Sequence, residues 1–236
     1  MSTGTDPALP APDRLCFFFW SGDAIRSRSV GAVVLHTTLA LPALSSRLVD
    51  DCSREIAKRL ELEIGDVEPL SLARARSRWP DYRLCVQTLA DWMSTCGLHE
   101  VLTDADQALM ACRGAPLHHD GDQYGGAAFC NLFVSEDRGL DVLFPLAGLR
   151  IPLVRGTALV FDTCQPHAVV PRGYERFDPA DFTPGRDWDQ LFLTWELPVE
   201  AAPVARALGV DFDVDPVTAS GLDKEQLRLD GSPLVL

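Results

Sequence analysis

The sequence has no apolar run approaching the roughly 20 residues that a membrane-spanning helix needs. Its first stretch, Met1 to Pro12, is polar and proline-rich, with no basic segment leading into an apolar one, so a secretory signal is not expected. Basic residues are scarce: 21 Lys and Arg stand against 34 Asp and Glu, a formal net charge of −13. A surface of that sign repels phosphate backbones and anionic lipid, which argues against nucleic-acid and membrane partners; solubility is its plain consequence. Cysteine is present seven times, but no two residues stand at C-x-x-C spacing, and most lie in apolar runs. An odd count without that spacing argues against a disulfide framework and a structural zinc site. It points to buried thiols in a reducing compartment, and the protein is expected to be cytoplasmic.

What the chain does have is core-forming residues: 47% of its 236 residues are hydrophobic and 23% charged, which suits one folded domain rather than disorder. Residues 1–13 read as a loose leader. Leu15 to Trp20 and Gly31 to Leu39 read as strands. Leu44, Leu48, Cys52, Ile56 and Leu60 then recur every four residues, which predicts an amphipathic helix opened near Pro42 and stopped before Gly65. A second helix is predicted after Pro80, with Cys85, Leu89, Trp92, Met93 and Cys96 on one face and Gly97 as its stop.

From about Gln107 the period shortens. Strands are predicted at 108–112, 127–134, 141–144, 151–154, 157–161, 167–170 and 191–197, punctuated by turn residues such as Gly125-Gly126, Asp137-Arg138-Gly139 and Arg155-Gly156. Short strands at this spacing predict a mainly β sandwich, barrel or jelly roll, with the two helices covering an outer sheet face. The expected organisation is a supporting region at 1–104, a β core at 105–197 and a tail at 198–236, in one compact domain overall.

Five histidines occur, and three of them fall in the β-rich half: His118, His119 and His167. His118 and Asp120 are two apart, so on a strand they share a face and can address one metal ion, with His119 turned away. His167 follows a strand and a tight turn and can supply a third donor. Two imidazoles and a carboxylate leave coordination positions open, which suits Fe(II). The competing reading for His118 and Asp120 is a hydrogen-bonded turn, and for His167 a satisfied core histidine.

Residues 105–197 resemble the double-stranded β-helix (jelly-roll, cupin-like) core of the Fe(II)/2-oxoglutarate-dependent dioxygenases of the prolyl-hydroxylase-like type. The stretches that carry the resemblance are Pro116 to Gly121, Ala127 to Asp137, Gly139 to Pro145, Ile151 to Asp162 and His167 to Pro171. The resemblance implies Fe(II) at His118, Asp120 and His167, and 2-oxoglutarate as cosubstrate. It also implies hydroxylation of a small molecule or peptidyl side chain, with release of succinate and CO2.

This sequence departs from the family pattern at the cosubstrate's far carboxylate. The family places Arg or Lys on the last core strand, whereas Asp189 to Leu197 contains neither. A carboxylate in a low-dielectric pocket still needs a partner, and a guanidinium meets it with two parallel hydrogen bonds. Arg176 and Arg172 are the leading candidates, with Arg186 and Arg150 behind them; each can equally be a solvated loop arginine. Tyr124 and Asn131 are further candidates to bind cosubstrate or substrate, with core or turn roles as the alternative. Gly173 to Asp189 reads as an inserted loop. Two other functional readings stand beside the oxygenase: a 2-oxoglutarate-independent cupin-like metalloenzyme, and a non-catalytic β-barrel binding module.

Overall fold

The computed structural model describes residues 15–102 and 107–234, so the leader at 1–13 lies outside the described residues. In chain order the strands are β1 (Leu15–Ser21), β2 (Ala24–Ser29), β3 (Leu35–Thr38), β4 (Val67–Leu70), β5 (Gln107–Cys112), β6 (Ala115–His118) and β7 (Ala127–Phe133). They continue with β8 (Leu140–Phe144), β9 (Leu149–Pro152), β10 (Thr157–Asp162), β11 (His167–Pro171), β12 (Gln190–Pro198), β13 (Gln226–Leu229) and β14 (Ser232–Pro233). The α-helices are α1 (Ser46–Glu55), α2 (Leu72–Arg76), α3 (Tyr82–Thr95), α4 (Gly121–Tyr124), α5 (Ala202–Leu208) and α6 (Pro216–Ala219).

The described residues divide into two compact units, one within 31–210 and the other formed by 15–30 together with 211–234. The smaller unit is built on a four-stranded sheet of order β14-β13-β1-β2. The aromatic run on β1 alternates badly for a half-exposed strand because Phe17 and Phe18 are both buried. Phe18 packs with Ile25 and Ala219, while Phe17 lies under the guanidinium of the buried Arg28.

The larger unit carries two facing sheets, one of order β3-β10-β7-β12-β5-β4 and one of order β6-β11-β8-β9. From β5 to β12 the chain passes back and forth between them: β5, β7, β10 and β12 lie in the first, and β6, β8, β9 and β11 in the second. This is an antiparallel jelly roll, one of the architectures the strand spacing predicts, and the double-stranded β-helix that the resemblance implies. The inner faces meet in a core that includes Phe133, Phe144, Leu153, Leu159 and Phe161. Gly156 allows β3 to join the sheet edge. Its φ is +91°, and a Cβ there would lie 1.9 Å from the Leu39 carbonyl oxygen, which only glycine permits.

The two helices that periodicity predicts form as α1 and α3; α2, α4, α5 and α6 are short and are not expected from it. Ser45 caps α1 by accepting from Leu48 N–H, and the helix runs on through a π-helical turn, Ile56–Leu60. Helix α3 buries Cys85, Leu89 and Met93, and the Met93 sulfur lies 3.8 Å from that of Cys130 on β7. Because Cys130 points away from the barrel interior, α3 covers the outer face of the larger sheet, as an amphipathic helix must. The short β4, without a readable period of its own, takes the sheet edge, where Pro69 leaves no inner ladder bond unmade. The inserted loop folds down onto the core through Phe177, Phe182 and Trp188, whose rings meet in succession, the first pair tilted and the second edge-on.

Candidate metal centre and its cavity

Strands β6 and β11 pair antiparallel with His118 opposite His167, so sheet register alone makes the two imidazoles neighbours. Their ring centroids are 4.4 Å apart. The register shifts just beyond this pair, a bulge that lets one residue turn while its neighbours stay in the ladder. Each ring is held the same way. His118 Nδ1 lies 2.8 Å from the Pro116 carbonyl oxygen, and His167 Nδ1 lies 2.9 Å from that of Gln165. A proton on Nδ1 donates to that carbonyl, which leaves the Nε2 lone pair of both rings free.

The strand ends at His118, so Asp120 does not reach the site by strand alternation as the H-x-D spacing suggests. It arrives through a turn. Its N–H donates to the Thr163 carbonyl at 2.8 Å, and its own carbonyl accepts from Tyr124 N–H at 2.7 Å to start α4. Its carboxylate bridges the imidazoles, with Oδ1 at 3.7 Å from His118 Nε2 and Oδ2 at 3.6 Å from His167 Nε2. One donor atom from each of the three residues lies within 4.8 Å of the others. His119 leaves the site: its Nδ1 accepts from Gly121 N–H at 3.1 Å.

His167 is buried, and that burial, with His118 beside it, pushes its pKa down to about 4, against the opposing pull of Asp120. The ring is therefore neutral at physiological pH and its lone pair available. Phe161 and Phe144 flank it at 5.0 and 5.7 Å between ring centroids. Two imidazoles and a carboxylate gathered at an apolar wall fit a single divalent transition-metal ion, and the donor types suit Fe(II).

The three donors open into a cavity of about 510 Å³ inside the barrel. Its walls include Met110, Phe129, Phe133, Leu159 and Phe192, together with the sequence candidates Tyr124 and Asn131. Burial first, and then the charges of Glu196 and Asp120, hold the Tyr124 phenol in its protonated form by raising its pKa. Asn131 on β7 sits directly across from Thr194 on β12. The Asn131 Oδ1 and Thr194 Oγ1 atoms are buried and have no hydrogen-bond partner among the described residues.

The arginines go elsewhere. Arg172 Nε donates to Asp141 at 2.9 Å, and its terminal nitrogens donate to Asp137 at 2.9 and 3.1 Å. Arg150 reaches the other oxygen of Asp141 at 3.1 Å, and the guanidinium of Arg186 lies over the ring of Trp188. Arg176 is exposed. None of these four lines the cavity, and no Arg or Lys among the described residues does. The structure thus brings together His118, Asp120, His167, Tyr124 and Asn131, but not Arg172 or Arg176. A dianionic 2-oxo acid would therefore meet no Arg or Lys among the described residues that line the cavity.

Four polar or charged cavity residues escaped the sequence reading: Glu68, Gln123, Thr194 and Glu196. Alternation along β12 would have placed Thr194 and Glu196 on the face of Phe192. Glu68 has no local signal, because only the sheet edge brings β4 to the cavity.

No family model and no curated protein matches the sequence. Among solved structures, the chain is similar to a Pseudomonas putida prolyl-4-hydroxylase, with a TM-score of 0.40 and 20% identity over 72% of this chain and 93% of that one. It is also similar to a viral collagen prolyl hydroxylase from Paramecium Bursaria Chlorella virus-1, with a TM-score of 0.41 and 11% identity over 71% of this chain and 90% of that one. A third is SnoK, a non-haem α-ketoglutarate-dependent carbocyclase from nogalamycin biosynthesis, with a TM-score of 0.41 and 9% identity over 87% of this chain and 89% of that one. At these TM-scores no property of those proteins passes to this chain.

Proposed function

We propose that His118, Asp120 and His167 hold one Fe(II) ion and that the chain is a non-haem oxygenase acting on a small molecule or a peptidyl side chain. The observation that carries this reading is the convergence of three donor atoms within 4.8 Å at the wall of a barrel cavity. Bound iron supplies the activation of O2 for insertion into an unactivated bond. The protein's part is to position and exclude. The Pro116 and Gln165 carbonyls fix the imidazole tautomers, and Phe144 and Phe161 keep His167 from water. The aromatic walls hold substrate against the metal. A histidine pair serving only the core would not need a carboxylate between two Nε2 atoms, nor a cavity in front of them.

The sequence resemblance implies 2-oxoglutarate, whose distal carboxylate would meet neutral donors such as Tyr124 and Asn131. The lack of Arg or Lys among the described residues lining the cavity favours a second reading, a metalloenzyme of this fold that works without 2-oxoglutarate.

Anaerobic titration with Fe(II), followed by metal analysis, separates these. One tightly held iron per chain, lost in both His118→Ala and His167→Ala, is expected; wild-type protein that retains no metal refutes the site. A visible charge-transfer band on adding 2-oxoglutarate, with succinate formed on exposure to O2, supports the cosubstrate. Bound iron with neither signal supports the second reading.

A further inference from the structure

The barrel cavity has a chemically one-sided wall. The metal donors belong to or follow strands of the four-stranded sheet. Across from them, on the six-stranded sheet, stand Asn131 and its cross-strand neighbour Thr194. Asn131 is only 8% exposed, yet among the described residues its side-chain oxygen has no hydrogen-bond partner, and neither has the Thr194 hydroxyl. An amide oxygen only accepts, and leaving a buried acceptor unmet is costly. What it lacks is therefore a donor.

The charged groups around the cavity point the same way. Glu196 lies two residues beyond Thr194 on the same strand face, and Glu68 stands on the edge strand β4, beyond β5 in the same sheet. With Asp120 they give the cavity lining three carboxylates and, among the described residues, no Arg or Lys. One divalent ion at the His118–Asp120–His167 cluster would leave that lining with more carboxylate charge than the ion neutralises, in a partly desolvated space. A second anion brought to this wall meets repulsion that the low dielectric amplifies; a cation meets attraction.

We infer that Asn131, Thr194 and Glu196 form a subsite for an ammonium or amine group, so that the ligand which fills this cavity is an amine with an apolar, partly aromatic body. The body matches Phe129, Phe133 and Phe192, and the amine donates to Asn131 Oδ1 and Thr194 Oγ1 with Glu196 as counter-charge. This names a substrate class for the metal centre proposed above and rests on that reading for its chemistry, although the binding preference is measurable whether or not the metal assignment holds.

The test uses two probes of similar shape and opposite charge, 2-phenylethylamine and 3-phenylpropanoate, titrated by NMR into the full chain with metal and after chelation. The amine is expected to bind at least about tenfold more tightly than the acid in both states, as a hydrogen-bonded charge at a partly buried acceptor should. Asn131→Leu is expected to bring the two probes within about threefold of each other. Because that residue is buried, Thr194→Val and Glu196→Gln serve as milder variants, each expected to narrow the gap while leaving metal content unchanged. Equal or tighter binding of the acid overturns the inference, as does an amine preference that survives all three substitutions. A preference that vanishes on chelation also overturns it, by assigning the selectivity to the metal. Loss of metal binding with the amine preference intact refutes the metal centre and leaves the subsite standing.

Discussion

Two groups of ionisable side chains stand at opposite ends of β11. At its start are His118, Asp120 and His167; at its end Arg172 joins Asp137, Asp141 and Arg150. Both groups converge, and both contain a side chain that is almost fully buried. They differ in what convergence leaves over. In the second group every named carboxylate meets a guanidinium, and Asp141 divides its two oxygens between Arg150 and Arg172. In the first, two imidazole Nε2 atoms and a carboxylate face one another. Charges that complete one another hold strands together, whereas donor atoms that converge on a common point suit a shared ion.

That contrast can be broken experimentally, most strongly at the first group. His167→Ala and Asp120→Ala each remove a donor, and metal affinity should fall by more than the roughly 10–100-fold typical of losing a mere supporting hydrogen bond. Competition with a chelator of known affinity measures it, and a loss under tenfold would put that residue outside the site. Asp141→Ala should leave metal affinity alone but destabilise the fold by about 1–2 kcal/mol, read from denaturant midpoints. The side chain is buried, but its arginine partners reach solvent and soften the loss. Arg172→Gln should leave metal affinity within about twofold of wild type, because the site lies at the other end of the strand; a larger drop would bring Arg172 back as a cavity residue.

The smallest effect is one of pH. Arg172 holds the Asp137 carboxyl below its ordinary value of 3.8, chiefly through their hydrogen bonds. A depressed folded-state pKa gives stability that is present above the unfolded value and is lost as pH falls through the folded one. Removing the arginine removes that contribution, so acid unfolding of Arg172→Gln should begin at a higher pH than in wild type. Coincident acid-unfolding curves would mean that the ion pair contributes nothing.

Much of this was legible in the sequence where one local rule governs. The spacing of Leu48, Cys52 and Ile56 yields a helix, and that of Cys85, Leu89 and Met93 another, because a helical stripe is a local property. The H-x-D pair and the distal histidine were legible as residue types, yet the reason they meet was not. Strand alternation does not deliver Asp120; a turn anchored on Thr163 does, and no spacing rule encodes a contact with a residue so distant. The arginines show the same limit. Arg172 and Arg176 were chosen by distance along the chain from His167, but the residues between Gly173 and Asp189 fold onto Phe182 and Trp188, and Arg172 is met by the acidic turn at Asp137. Partners for charged groups are settled by three-dimensional neighbours, which spacing alone does not reveal.

The pairing of His118 with His167 has a consequence for how the chain assembles. The two residues end β6 and begin β11, and the whole of β7, β8, β9 and β10 lies between them in sequence. An ion shared by both would tie together the two ends of that long interval and so reduce the freedom of the unfolded chain that captured it. An ion held by both would favour the paired state of β6 and β11, so chelation should lower the stability of the barrel while leaving it folded.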